Sequence, residues 1–510
     1  MRNGRTKNTL RNIVAGLLNR MVAIFLPFIN RTVILHFLGA EFTGLTGLFT
    51  SILGMLNIAE LGFNTAVVYS LYKPMADKDE QKICQTVSVL RQVYTYVGVF
   101  VLGIGLVIMP FLKHFIHGGY PAHINIYSIY FLYLTNSVIS YFLFSYKESL
   151  LLADQRKDIA QNIRTAVDLI RYILQFICLL VYHNFYIYLI VTIFGTIATN
   201  ISIEIATRRR YPYFSRVKGR VRIPHDIMTR VKGLFINRVC DILRNGLDSI
   251  IISSVIGLTA TAIYGNYYYV YNALYGVLLV VINAMGASVG NSIVVKTAEE
   301  NYRDLLKFSA ISSWIIGVCT ACLLCLYQPF MTMWVGRDLL LSNGNVVLFC
   351  VYFYVINMNN VRNQYISGTG IWWNLRKSYI IEALGNLILN ILLGKWFGIT
   401  GVLLATIITI FLFNYLMRNS VLFSSYFADQ SYKGYLTEQL YFAGTAIVAA
   451  AASYFLCSLI SGNGMMALLI RGGISFVTSG AILLAGIFLT KRWIDVQLFL
   501  KNMMLMFLER

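Results

Sequence analysis

Residues 207–232 read TRRRYPYFSRVKGRVRIPHDIMTRVK, the longest polar stretch in a chain that is otherwise almost continuously apolar. Before it, apolar runs lie at about 10–36, 43–72, 86–112, 125–146, 160–182 and 185–206. After it come eight more, at about 233–256, 260–293, 308–328, 345–370, 378–397, 399–417, 438–460 and 466–490. A hydrocarbon core about 30 Å thick takes about 20 apolar residues per helix, and most of these runs reach that length. None has the two-residue alternation of a membrane barrel, and in lipid every backbone polar group must be satisfied internally. The expected fold is therefore an all-α polytopic membrane protein with about fourteen transmembrane helices. The polar stretch divides it into a six-helix bundle (1–207), a basic cytoplasmic linker (208–232), a second six-helix bundle (233–425), and two additional helices with a cytoplasmic tail (426–510).

Composition agrees: 57% of the residues are hydrophobic and 13% charged, with a net charge of +20. The placement of the 42 lysines and arginines sets the orientation. With the N-terminus cytoplasmic, 31 fall on the inner side, counting Arg11 and Arg164 at span edges with the flanks; only Lys113, Arg337 and Lys395 fall outside. By the positive-inside rule both termini are cytoplasmic, and the cationic loops face an anionic leaflet rather than nucleic acid. The opening MRNGRTKNTLRN resembles a signal peptide's basic start, but the run after it is long, carries Arg20 and Arg31, and has no small-residue cleavage site. It reads as an uncleaved first span.

The eight remaining basic residues lie inside apolar runs: Arg20, Arg31, Arg91, Arg171, Arg238, Arg244, Arg362 and Arg471. An arginine facing lipid near mid-bilayer costs about 2.5–3.5 kcal/mol, so such residues turn toward a wet cavity or a partner. Arg20 and Arg31 are eleven residues apart, which brings the second back to within about 20° of the first, roughly 16 Å along the axis. Guanidinium groups on one face suit an anion, because they fork onto phosphate oxygens; snorkelling or an ion pair is the plainer reading. Pro27 lies between them and permits a kink.

The second run carries Asn57, Glu60 and Asn64 on one helical face. The seventh carries Arg238, Asp241, Arg244 and Asp248, where Asp241 and Asp248 can pair with Arg244 along the helix, or line a cavity and respond to an ion. Tyr264, Tyr268, Tyr271 and Tyr275 recur at spacings of 4, 3 and 4: a stripe able to stack on sugar rings, or simply helix packing. Asp168 and Arg171 read as a structural i, i+3 pair. Cys319, Cys322 and Cys325 imitate a cluster spacing without polar support, and His114, His117 and His123 read as solvated loop residues, so no metal or other cofactor is expected. No protease, hydrolase, P-loop or dinucleotide motif is present, and the expectation is that the protein is not an enzyme.

The halves look related. LGAEFTGLTGLF (38–49) follows the first span and IGLTATAIYGNY (256–267) the seventh, with Gly39 and Gly47 spaced as Gly257 and Gly265 are. An even offset of six spans keeps both copies in one orientation, which predicts a pseudo-two-fold axis along the membrane normal.

Three stretches carry a family resemblance: IAELGFNTAVVYSLYKPMADKDEQKI (58–83), LDSIIISSVIGLTATAIYGNYYYVYNAL (247–274), and NNVRNQYISGTG with IEALGNLILNILLGKWFGITGVLLAT (359–370 and 381–406). Over about 1–425 the chain resembles Wzx-type polysaccharide flippases of the multidrug/oligosaccharidyl-lipid/polysaccharide exporter superfamily. The matching positions include Arg362, Gly368, Gly370, Glu382, Asn386, Asn390, Gly398 and Gly401, with Asp248 before the glycine turn. The resemblance implies alternating-access transfer of polyprenyl-diphosphate-linked oligosaccharides to the outer leaflet of a bacterial cytoplasmic membrane, for capsule, O-antigen or exopolysaccharide synthesis. Arg20, Arg31, Arg238 and Arg244 would receive the diphosphate. Glu60, Asn64, Asp241 and Asp248 would line the cavity or couple to a proton or sodium gradient or to membrane potential, and the tyrosines would meet the glycan. The implied partners are the lipid-linked oligosaccharide, membrane lipids, polysaccharide polymerase and glycosyltransferases, with no nucleic acid. The rival readings are a multidrug exporter, which would want an acidic cavity, a peptidoglycan-precursor exporter, and a polytopic glycosyltransferase or polymerase, which would want a large catalytic outer loop.

Overall fold

The computed structural model describes residues 22–57, 68–212, 239–494 and 497, apart from residues 23, 69, 73, 76, 155, 241, 245, 463 and 491. Of the candidate residues, Arg20, Glu60, Asn64, Arg238 and Asp241 lie outside this set. The chain divides into two compact units, residues 1–262 and 263–510.

In the first unit the helices are α1 (Ile24–Phe37), α2 (Ala40–Leu56), α3 (Glu80–Ile108), α4 (Ile126–Phe142), α5 (Lys157–Tyr182), α6 (Phe185–Arg210), α7 (246–255), and the start of α8 (Leu258–Val295). Their shared core holds Leu45, Leu48, Phe49, Leu90, Val101, Ile129, Tyr130 and Leu134, all fully buried. Side chains on α5 point the other way: Ile170, Ile173, Leu174, Ile177, Leu180 and Val181 are exposed. A continuous apolar face of this kind belongs against hydrocarbon rather than water. Polar breaks end the helices cleanly, with the Asn125 and Asn184 side chains each accepting from the first free amides of α4 and α6, as helix starts require.

The second unit contains the rest of α8, then α9 (Ala298–Val335), α10 (Asn343–Thr369), the segment Arg376–Ser425, α13 (Tyr432–Ser458) and α14 (Met465–Phe488). Arg376–Ser425 is 50 residues long, too long for one crossing, and Gly398 (φ 58°, ψ −134°) breaks it. Hydrogen bonds then pair its ends: Ser378 Oγ donates to the Phe413 carbonyl at 2.7 Å, and Asn386 Nδ2 to Thr406 Oγ1 at 3.2 Å. The segment is an antiparallel hairpin, with arms α11 (376–397) and α12 (399–425). Gly401 is obligatory at its apex, because a Cβ there would sit 1.9 Å from the Leu393 carbonyl oxygen. Gly401→Ala is expected to cost about 3 kcal/mol or more, the top of the overpacking range, since the obstacle is backbone. Wild-type yield of monodisperse protein from detergent extracts would refute this.

Among the described residues nine helical segments have the length and apolarity to cross a membrane, and the pair Ile126–Phe142 and Ser145–Ala153, bent by 48°, makes a tenth. With α11 and α12 separated, and with α1, α2 and α7 bordering residues outside the described set, the helices fall where the apolar runs predicted. The added pair α13 and α14 packs on α9 through small residues, with Ala446, Ala449 and Leu483 against Val318. The Trp314 indole also donates to the Gly480 carbonyl at 3.1 Å. Small residues that admit close helix approach are the usual device in lipid.

The glycine repeat is structural. Gly39 (φ 95°) and Gly257 (φ 126°) each end a helix in the left-handed region. Each donates its amide five residues back, to Ile34 at 3.2 Å and to Ile252 at 3.0 Å. In each case the threonine four residues on, Thr43 or Thr261, returns a hydroxyl to the glycine carbonyl. Two turns built from the same bonds reverse the chain after the first and seventh spans.

Candidate functional site

In the first unit, Arg31 lies on α1, half-buried, with Nη2 3.4 Å from the Ala262 carbonyl. Its neighbour Asn30 donates to the Tyr188 hydroxyl at 2.6 Å, which fixes the rotation of α1 against α6. Arg244 and Asp248 follow one another by one helical turn and are 9% and 5% exposed. Burial this deep keeps both out of lipid, and the i, i+4 relation lets the carboxylate offset part of the cationic charge. Arg171, also inside a span, is already committed: it pairs with Asp168 at 3.0 Å. Its aliphatic stem crosses Gly195, where a Cβ would come within 2.6 Å.

The tyrosine stripe of α8 forms one continuous stack in the second unit. Tyr264 to Tyr268, Tyr268 to Tyr271 and Tyr271 to Tyr275 have centroids 5.3–5.9 Å apart and rings within 15° of parallel. Tyr271 also stacks on Tyr352 at 4.8 Å, and Tyr264 meets Phe349 at 5.4 Å. Both are 2% exposed, so these two rings serve the α8–α10 interface. Tyr268 and Tyr275 remain partly exposed and are the pair of the stripe that a glycan could touch.

The strongest concentration of buried charge joins α10, α11 and α12. Arg362, 1% exposed, donates to the Asn414 carbonyl at 2.6 Å, to Asn414 Oδ1 at 2.7 Å and to Asn363 Oδ1 at 2.9 Å. Glu382 pairs with Arg418 and accepts from Asn414 Nδ2 at 3.4 Å. Arg418 also reaches Ser378 Oγ at 3.2 Å and lies 3.9 Å from the Tyr379 ring centroid. The backbone ladder of α12 widens to a π-helix over Ile410–Met417, where Arg362 and Ser378 donate into it. Side chains entering the ladder are a physical reason for such widening. Further along the hairpin, Asn390 donates to Asn386 Oδ1 at 3.1 Å.

The motif positions Arg362, Glu382, Asn386 and Asn390 are thus brought onto one hairpin seam, and the carboxylate and both guanidiniums are tied within the protein. Arg418, counted by its position with the cytoplasmic flank, is 3% exposed, because α12 continues eight residues past the apolar run. The available signal was Glu382 itself, a carboxylate inside an apolar run that needs a cation. Asn414, Ser378 and Tyr379 were likewise missed. Among the described residues no group of three or more His, Cys, Asp or Glu side chains is placed to hold a metal ion.

The profile of the family described as polysaccharide biosynthesis protein matches residues 6–289. No curated protein sequence matches the chain. Among solved structures, the lipid II flippase MurJ in an inward closed conformation superposes with a TM-score of 0.65 at 15% identity, covering 93% of this chain and 98% of that one. An inward-facing multidrug resistance MATE family transporter of the MOP superfamily gives 0.60 at 13% identity, over 81% and 99%. A MATE transporter of Vibrio cholerae gives 0.54 at 14%, over 83% and 98%. At such identities the likeness is one of fold. The helices, the repeated glycine turns and the hairpin seam accordingly share the fold of these proteins, and the chain belongs to the polysaccharide biosynthesis protein family.

Proposed function

We propose that the protein is a flippase that moves polyprenyl-diphosphate-linked oligosaccharide repeat units from the cytoplasmic to the outer leaflet by alternating access, for assembly of a capsule, O-antigen or exopolysaccharide. The observation that carries this reading is a pair of arginines, Arg31 and Arg244, sunk in apolar helices of the region that the family profile covers. A diphosphate offers oxygens that two guanidinium groups can fork onto, and a low-dielectric surrounding strengthens each bond. Neutral sugars need only loose polar and aromatic contact, such as Tyr268 and Tyr275 provide. The hydrocarbon tail can remain in the bilayer throughout.

Asp248, beside Arg244, is the described carboxylate best placed to answer a proton, a sodium ion or the membrane potential. The protein would work in the bacterial cytoplasmic membrane with both termini inside, upstream of a polymerase and downstream of glycosyltransferases. A cationic drug would find the in-span charge unfavourable in sign, which weighs against multidrug export.

The test is mass spectrometry of polyprenyl-linked glycans from cells with and without the gene. Accumulation of one complete repeat unit, with loss of surface polymer, is the expected result and names the cargo. A truncated glycan would overturn the reading in favour of a glycosyltransferase. Accumulation of a peptide-bearing precursor would move the cargo to peptidoglycan, while an unchanged lipid pool would remove lipid-linked glycans altogether.

A further inference from the structure

Arg471 is an in-span arginine that neither the hairpin seam nor the proposed transport path uses. It lies six residues into α14, about 9 Å down the axis. A helical side chain leans toward its own N-terminus, so the guanidinium rises toward the loop that joins α13 to α14. There Nη2 donates to the Ile460 carbonyl at 2.7 Å. Its Nε is buried without a hydrogen-bond partner, and among the described residues it forms no salt bridge. The guanidinium borders a cavity of about 420 Å³ between α9, α10, α13 and α14. Apolar walls come from Leu324, Pro329, Val346 and Val347, and no carboxylate lines it. Gln328, the other strong donor, is already spent on the Leu341 carbonyl at 2.6 Å and Asn343 Oδ1 at 3.1 Å. At the rim, Tyr454 and Val347 are 49% and 48% exposed, on faces of helices that cross the membrane.

We infer that this cavity is a binding site for the phosphate of a lipid, held by Arg471 with the start of its chain against the apolar walls. Charge selects the head: an unneutralised guanidinium at the cavity wall calls for an anion, and a phosphate ester accepts a charge-assisted bond from it while Nη2 keeps the Ile460 carbonyl. The walls select an amphiphile over a free anion, since an inorganic phosphate would gain nothing from four apolar side chains. The volume falls in the range of small-molecule sites, about 300–1,000 Å³, enough for a phosphate, its ester carbons and a first stretch of chain. On the orientation given by the basic residues the site lies in the outer leaflet, away from the cytoplasmic loops where anionic lipid is otherwise attracted. Two lipids share this chemistry, an anionic phospholipid and a polyprenyl phosphate.

Native mass spectrometry of the purified full-length protein tests the site with three probes: phosphatidylglycerol, polyprenyl phosphate and diacylglycerol, which lacks phosphate. Wild type is expected to retain one phosphate-bearing lipid at least tenfold more tightly than Arg471→Gln, with Arg471→Lys in between. Diacylglycerol should bind no better to wild type than to the variant. Preference for phosphatidylglycerol would identify a membrane lipid, and preference for polyprenyl phosphate would identify the carrier. Val347→Trp, which fills the cavity and leaves the charge in place, should remove the same lipid from a protein that still folds. Equal retention by wild type, Arg471→Gln and Val347→Trp would overturn the inference and leave Arg471 as a cap on the end of α13. The outcome is independent of the glycan analysis, because it reads lipid retention rather than transport.

Discussion

Arg418→Ala is expected to lower the stability of the folded protein by about 3–5 kcal/mol, the cost of leaving the other half of a buried ion pair uncompensated. Glu382 would then be a carboxylate 2% exposed that has lost its cation, its bond from Asn414 being long at 3.4 Å. Glu382→Gln should be milder, because the amide oxygen can still accept from Arg418. The buried charges of the seam would nonetheless shift from one carboxylate against two arginines to Arg362 and Arg418 alone. A paired replacement, Glu382→Met with Arg418→Met, removes both charges at similar volume and should recover most of the loss, since buried pairs repay little more than their own desolvation. Thermal unfolding of the purified protein in one detergent, run as a double-mutant cycle, measures the coupling directly. Single variants that melt with wild type would mean that the pair is solvated and contributes nothing. Failure of the double variant to recover would assign the loss to the surrounding bonds, from Ser378, Tyr379 and the π-helical stretch of α12, instead of to charge.

Much of the architecture was legible because hydrocarbon imposes one rule on every residue of a span. The runs at 378–397 and 399–417 mark the arms of the hairpin, and Gly398 and Gly401 mark its apex, the first because its φ is 58° and the second because a Cβ there would sit 1.9 Å from the Leu393 carbonyl oxygen. The repeat was visible in Gly39 and Gly257 for the same reason. Asp168 and Arg171 were legible as a pair because they share a helix, and i, i+3 spacing is sequence-local. Arg418 and Glu382 were not. They are 36 residues apart, and their meeting depends on how far α12 extends beyond its apolar run, which hydropathy does not report. The tyrosine stripe was legible as a face but not as an interface: Phe349 and Tyr352, which claim Tyr264 and Tyr271, belong to another helix. Sequence alone left the buried arginines between a wet cavity and a partner, with Arg171 read as paired to Asp168. The structure adds Arg362 to those tied to protein groups, through Asn414 and Asn363.

That separation sharpens the expectation for transport. Arg31→Ala or Arg244→Ala should abolish flipping while leaving protein abundance unchanged, whereas loss of a structurally committed arginine such as Arg362 should reduce abundance first. A charge-assisted bond to phosphate is worth about 1.5–3 kcal/mol, so each guanidinium removed should weaken capture of the diphosphate by about 10- to 100-fold. Lysine substitutions divide charge from geometry: they keep the cation and lose the planar fork, and should retain part of the activity if the anion is a diphosphate gripped at two oxygens. Arg244 needs the stricter control, because it is 9% exposed beside Asp248 and its truncation could disturb α7. Pairing Arg244→Ala with Asp248→Asn leaves no unmatched carboxylate. Because Asp248 is itself the proposed coupling group, Asp248→Asn alone is the reference. If abundance recovers in the pair while transport falls below that reference, the guanidinium is required by the substrate and not by the helix. The readout is surface polymer and the cytoplasmic-face pool of lipid-linked repeat unit, each normalised to protein in the membrane. Wild-type transport in both single variants would remove Arg31 and Arg244 from the path, and the groups that receive the diphosphate would have to be sought among Arg20 and Arg238.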